Sequence, residues 1–221
     1  MIEDIRFERD EAPGEARAAS RQTLTLRAAK VICAGAEYLC IVRDVSETGV
    51  KLRVFHPLPA TRRMTLQLRS GVRYALEPVW SRGMDAGLRF EDPIDVWSFV
   101  AEAGGWRPRP LRFAVNLQSK LLVRGEQVAA RILDLSQQGA GLECTEHLAV
   151  NQPLMLEGAH MPIVQARVRW RQDGRYGLVL DDTFGLTELA TIIARYHEGK
   201  GPRALSLMDE TRTPKMQMRM A

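Results

Sequence analysis

Apolar and polar side chains alternate with a period of two along most of this chain, the signature of half-buried strands. The clearest stretch is 164–170, where Val164, Ala166, Val168 and Trp170 form one face and Gln165, Arg167 and Arg169 the other. In the matching stretch 74–80, Tyr74, Leu76, Pro78 and Trp80 form the apolar set. Pro78 cannot donate a ladder hydrogen bond, which puts that strand at an edge or on a bulge. Similar runs predict strands over 26–34, 38–45, 50–55, 64–68, 72–81 and 86–90. A second set follows over 116–123, 128–135, 140–144, 153–156, 164–171 and 176–180. Many short strands with turn residues between them predict a barrel or a sandwich. The period changes to that of a helix twice. Val96, Phe99 and Val100 follow Asp92-Pro93 and stop at Gly104-Gly105; Leu189, Ile192, Ile193 and Tyr196 form a stripe over 186–197, closed by Gly199. Each stripe suits packing on its own barrel, and a homodimer interface is the other use open to the longer helix.

The two strand sets are copies. Asp44, Ser46 and Gly49 return as Asp134, Ser136 and Gly139, and Trp80, Gly87 and Leu88 as Trp170, Gly177 and Leu178, a constant offset with no gap. The offset exceeds the roughly 20–50 residues of solenoid repeats and reads as duplicated domains, each large enough for a modest core. The boundaries are an acidic arm at 1–16, a first domain at 17–103, a stiff Pro-containing linker at 104–110, a second domain at 107–198 and a basic, disordered tail at 199–221. One key position breaks the copy: Arg21 faces Leu111.

Charge separates the copies. The arm is net −4, residues 17–100 net +5, and residues 107–198 net +1. Only five of the 31 basic residues are lysine. Arginine suits phosphate oxygens and guanine edges, although a GC-rich genome produces the same bias. Cys33, Cys40 and Cys144 lack metal-ligand spacing; Cys33 and Cys144 sit in apolar runs and read as buried free thiols. The four histidines are scattered, and no nucleophile, phosphate loop or carboxylate pair stands out, so neither a metal site nor an enzyme is expected. No leader or apolar span is visible, and a cytoplasmic protein without membrane insertion is expected. Aromatic residues make up 6% of the chain, too few for stacking platforms along a nucleic-acid polymer.

The first copy contains Arg17-Ala-Ala-Ser-Arg21, then 22 residues, then Asp44-Val-Ser-Glu-Thr-Gly49. Asp-x-Ser-x-x-Gly alone is an ordinary turn, with Asp and Ser bonding the backbone and Gly supplying a positive φ. Joined to R-x-x-x-R, and followed by Trp80 and Gly87-Leu-Arg-Phe90, it resembles the PilZ domain family. The resemblance covers most of the chain. It implies a mainly β protein of two tandem six-stranded antiparallel barrels, each followed by a C-terminal helix. It also implies binding of cyclic di-GMP, a second messenger with two phosphates and two guanines. Arg17 and Arg21 would clamp phosphate or guanine O6/N7, Asp44 would accept from guanine N1–H and N2–H, Ser46 would offer its hydroxyl, and Gly49 would let the backbone approach the base. Arg82 and Arg89 would add phosphate contacts or simply face solvent. In the second copy Arg107, Asp134, Ser136 and Gly139 form a degenerate version. It reads as a strand-connecting turn, with weak binding through a repositioned Arg109 or Arg112 as the other reading. The expected function is a receptor that binds in its first domain and signals to a downstream protein. The alternative is a ligand-independent adaptor for protein interaction or dimerisation.

Overall fold

The computed structural model describes residues 22–101 and 110–198, with the backbone alone over 22–26. The arm, Arg17, Arg21, Arg107, Arg109, residues 104–109 of the linker and the tail lie outside the described residues. Twelve strands form two closed barrels of identical order. In the first, β1 (Gln22–Cys33), β2 (Ala36–Val45), β3 (Gly49–Val54), β6 (Asp85–Phe90), β5 (Arg73–Arg82) and β4 (Met64–Gln67) are neighbours in that sequence, and β4 closes onto β1. In the second, β7 (Phe113–Val123), β8 (Glu126–Leu135), β9 (Gly139–Cys144), β12 (Arg175–Leu180), β11 (Val164–Gln172) and β10 (Pro153–Gly158) repeat the order, and β10 closes onto β7. All pairings are antiparallel. Closure removes every sheet edge. Pro78 accordingly sits beside a bulge, not at an edge: the β5–β6 register slips between Pro78 and Trp80.

The alternation explains the cores. Along β7, Phe113, Val115, Leu117, Ser119, Leu121 and Val123 point inward and the residues between them outward. Tight hairpins join the first strand pair of each barrel. Ala34 and Gly35 have φ of 49° and 73°, and Arg124 and Gly125 have 52° and 88°, the left-handed pair that a two-residue hairpin with the correct twist requires. Ser119 is the exception inside the second barrel, because its hydroxyl is buried without a partner among the described residues. The first barrel has Ala29 at the same position. Ser119→Ala is expected to raise stability by about 1 kcal/mol in urea unfolding, by removing an unpaid desolvation cost.

Helix α1 (Val96–Ala101) starts later than Asp92-Pro93 suggests. Asp95 caps it, accepting from Ser98 Oγ at 2.5 Å and from the amides of Trp97 and Ser98 at 3.1 Å each. These bonds, the Ser98 hydroxyl first, hold the Asp95 carboxyl below the usual carboxylate range. Phe99 is fully buried against Tyr74 and Phe90. Helix α2 (Leu186–Glu198) buries Leu189, Ile192, Ile193 and Tyr196, the stripe read from sequence. It contacts β2 of the first barrel as well as β7 of its own. Leu39 of β2 is buried in the second barrel's apolar cluster, so the two domains share a core boundary.

Cys33 and Cys40 are buried free thiols, whereas Cys144 is only half-buried at the end of β9. Burial pushes the Cys33 thiol up to about 12 and raises Cys40 further. Such thiols carry almost no thiolate at neutral pH. Among the described residues no cluster of His, Cys, Asp and Glu could hold a metal, and no helix is long and apolar enough to cross a membrane.

Candidate functional site

Asp44 and Asp134 lie near the ends of β2 and β8, just before the turns into β3 and β9. The two turns are built alike. The Ser46 amide donates to the Gly49 carbonyl at 2.8 Å, and the Ser46 hydroxyl accepts from the Gly49 amide at 3.1 Å. The Ser136 amide and hydroxyl both donate to the Gly139 carbonyl, at 2.9 and 3.0 Å. Both serines are buried, so the work their hydroxyls do in this structure is to close the turn. The glycines are needed for a reason other than positive φ, which neither adopts. A Cβ on Gly49 would stand 3.2 Å from the Leu88 carbonyl oxygen, and one on Gly139 would collide with that of Leu178. The glycine lets the turn lie against the neighbouring strand.

The pairing register changes which arginine belongs to which aspartate. Thr23 pairs with Asp44, and Ala114 pairs with Asp134. Both first strands carry a bulge next to these pairs. Between the flanking pairs β1 advances four residues, Thr23 to Arg27, where β7 advances three, Ala114 to Leu117. The extra residue in β1 moves the upstream segment by one position. Arg112, two residues before Ala114, is therefore the counterpart of Arg21, two residues before Thr23; Leu111 is not. The guanidinium of Arg112 forms an ion pair with the Asp134 carboxylate. Counting at a fixed offset sets Leu111 opposite Arg21 and leaves Arg112 one residue late, because a bulge leaves the sequence pattern unchanged.

The same kind of bulge relocates the tryptophans. The sequence reading puts Trp80 and Trp170 with the inward sets. The register slips between Val168 and Trp170, and between Pro78 and Trp80, turning both rings outward. Trp170 is 46% exposed and Trp80 41%. Each indole lies against a glycine of the neighbouring strand, Gly177 or Gly87, where a Cβ would overlap the ring.

On the second barrel these groups form one row across the outer wall. Ala114 pairs with Asp134, Asp134 with Gly141, Gly141 with Gly177, and Gly177 with Trp170. The Asp134 carboxylate lies on Gly141, and the indole on Gly177. Strands are spaced at about 4.8 Å, so a guanidinium, a carboxylate and an exposed indole occupy a strip roughly 15 Å wide. In the first barrel Lys51 replaces Gly141. Its ammonium lies 5.9 Å from the centre of the Trp80 ring and 3.6 Å from Asp85. Asp44 Oδ1 is buried and has no partner among the described residues. Beside Trp80 a cleft of about 270 Å³ opens over Met64, Pro78 and Ala86. The second barrel has the buried Tyr176 where the first has Ala86, with the Tyr176 hydroxyl bonded to the Glu146 carbonyl at 2.8 Å.

The other named arginines are dispersed. Arg89 is opposite Gly49, beside the turn, and donates to Glu77 at 2.5 Å. Arg82 is opposite Asp85 at the far end of the β3–β6 ladder, about 13 Å along the strands from Gly49. The structure thus brings together Asp134, Ser136, Gly139 and Arg112 in the second barrel, and Asp44, Ser46, Gly49 and Arg89 in the first.

Comparison with known proteins yields one family and several distant structures. No curated protein matches the chain. The PlzA protein of Borreliella burgdorferi, solved in complex with c-di-GMP, is 15% identical, covers 77% of this chain and 87% of its own, and gives a TM-score of 0.32. YcgR of Escherichia coli, also in complex with c-di-GMP, is 12% identical over 79% of this chain and 85% of its own, with a TM-score of 0.33. The inhibitor of motility MotI of Bacillus subtilis is 12% identical over 80% of this chain and 97% of its own, with a TM-score of 0.35. Residues 107–195, which span the whole second barrel and nearly all of α2, match the model of the PilZ domain. The second barrel thus matches the PilZ domain model, and the first barrel repeats its strand order.

Proposed function

We propose that this protein is a receptor for cyclic di-GMP and holds the ligand on the outer wall of its second barrel, around Arg112, Asp134 and Trp170. The observation that carries the reading is the Arg112–Asp134 pair beside an exposed indole. A guanine needs those three things: an acceptor for N1–H and N2–H, a planar surface to stack on, and a forked cation for O6/N7 or the adjoining phosphate. Arg112 and Asp134 are both substantially exposed, so their bond is worth about 1 kcal/mol at most and a ligand displaces it at little cost. The first barrel offers the counterpart through Arg17, Arg21, Asp44 and Gly49, and Asp44 Oδ1, which has no partner among the described residues, is an acceptor for such a donor. Signalling to a partner in the cytoplasm would follow from the difference in ligand affinity between two conformations.

The guanine-specific role of Asp134 has a direct test. Adenine has no N1–H and N2–H pair. Calorimetry is expected to show cyclic di-AMP binding at least about 100-fold more weakly than cyclic di-GMP, because it leaves the carboxylate unpaired. Equal affinities would refute the assignment. One observation favours a second reading, an adaptor that needs no ligand: Arg112 and Asp134 already satisfy each other. Failure of the intact protein to bind cyclic di-GMP at micromolar concentration would favour that reading.

A further inference from the structure

Lys30 is the one charged residue among the described residues that is almost fully buried, at 5% exposure. It lies on β1 of the first barrel and pairs with Glu37 of β2 at 2.9 Å. The remaining valences of this ion pair leave the first barrel altogether. Lys30 Nζ donates to the Arg112 carbonyl at 2.5 Å, and Glu37 Oε2 accepts from the Ala114 amide at 2.8 Å. Between those two peptide groups Phe113 is fully buried, with its ring centre 5.1 Å from the Lys30 ammonium. The grip has a second anchor on the same domain, since His197 Nε2 of α2 lies 3.3 Å from the Glu37 amide and 3.1 Å from its carbonyl.

The location matters more than the bonds. Arg112 carries the guanidinium that meets Asp134, and Ala114 is the residue opposite Asp134 in the ladder. A buried ion pair is a poor way to glue two domains, because desolvating the charges offsets much of their attraction and an apolar pair of the same size does as well. What an apolar pair cannot do is fix the peptide planes on both sides of residue 113. The repeat sharpens the contrast. The counterpart of Lys30 is Lys120, which is exposed, and that of Glu37 is Gln127, which cannot form an ion pair.

We infer that the Lys30–Glu37 pair of the first barrel is a positioning device for the second barrel's ligand site: it fixes the backbone from which Arg112 reaches Asp134. Lys30 and Glu37 are positioning residues and need not touch the ligand. The inference rests on the reading of that wall as a binding site, and it makes the site conditional on the neighbouring domain.

The test uses the full chain with Lys30→Met and Glu37→Met together, a pair that keeps the volume and removes the charges. Three readings are taken: thermal melting, the NMR signal of the Arg112 side chain without ligand, and calorimetry with cyclic di-GMP. The variant is expected to melt within a few degrees of the wild type. Its Arg112 signal should move to that of a solvated arginine, and affinity at the second barrel should fall about tenfold, the size of re-ordering one freed side chain. An unchanged Arg112 signal with unchanged affinity would overturn the inference. If the wild type itself binds no cyclic di-GMP, the receptor reading fails, and the Arg112 signal still decides the positioning role. If the double variant does not fold, hydrogen exchange of the wild-type Ala114 amide decides it: strong protection is required, and fast exchange would rule the grip out.

Discussion

Arg112→Ala is expected to weaken cyclic di-GMP binding at the second barrel by about 10- to 100-fold, the worth of one or two charge-assisted hydrogen bonds. Arg112→Lys should recover only part of the loss, because an ammonium keeps the charge without the fork. The position of the arginine is as testable as its chemistry. A fixed sequence offset places Leu111 opposite Arg21, whereas the strand register places Arg112 there. Leu111→Arg, which restores the sequence signature, should therefore add little affinity. Equilibrium titration of the three variants checks the order. A gain from Leu111→Arg together with no loss from Arg112→Ala would show that the register argument fails.

Gly139→Ala is the substitution expected to cost the most stability. Its Cβ would run into the backbone carbonyl of Leu178. That carbonyl belongs to β12, whose Leu178 and Val179 pair with Ala140 and Gly139, so it cannot yield without opening the ladder that closes the barrel. Overpacking against rigid backbone costs about 3 kcal/mol. The equivalent Gly49→Ala has 3.2 Å to the Leu88 oxygen and should cost about 1 kcal/mol, because a shift of a few tenths of an ångström relieves it. Urea unfolding of both variants measures the contrast. Equal losses would mean that the two turns do not differ as the geometry says.

Twelve strands and two helices were legible in the sequence because each depends on a local pattern. Alternation such as that of 113–123 survives any small change of register, and the stripe of Leu189, Ile192, Ile193 and Tyr196 can be read without knowing what covers it. The features that failed to show are those that depend on one extra residue in one strand. A bulge after Val168 turned Trp170 from the core to the wall, and a one-residue difference between the bulges of β1 and β7 made Arg112 the equivalent of Arg21. Neither bulge alters composition or periodicity. The glycines were legible as necessary but not for the right reason. Positive φ is a local property, whereas the Leu88 and Leu178 carbonyls belong to strands some 39 residues away in each case. The grip of Lys30 on Arg112, at a separation of 82 residues, has no local signature at all.

The central claim is that cyclic di-GMP binds this chain through Arg112 and Asp134 in the second barrel and through Arg21 and Asp44 in the first. Calorimetric titration of the intact protein counts those sites. Two classes of site are predicted for the wild type. Arg112→Ala should weaken the class belonging to the second barrel by about 10- to 100-fold, Arg21→Ala the class belonging to the first by a similar factor, and the double variant should weaken both. A wild type that gives no heat, or a double variant that binds like the wild type, would contradict the account.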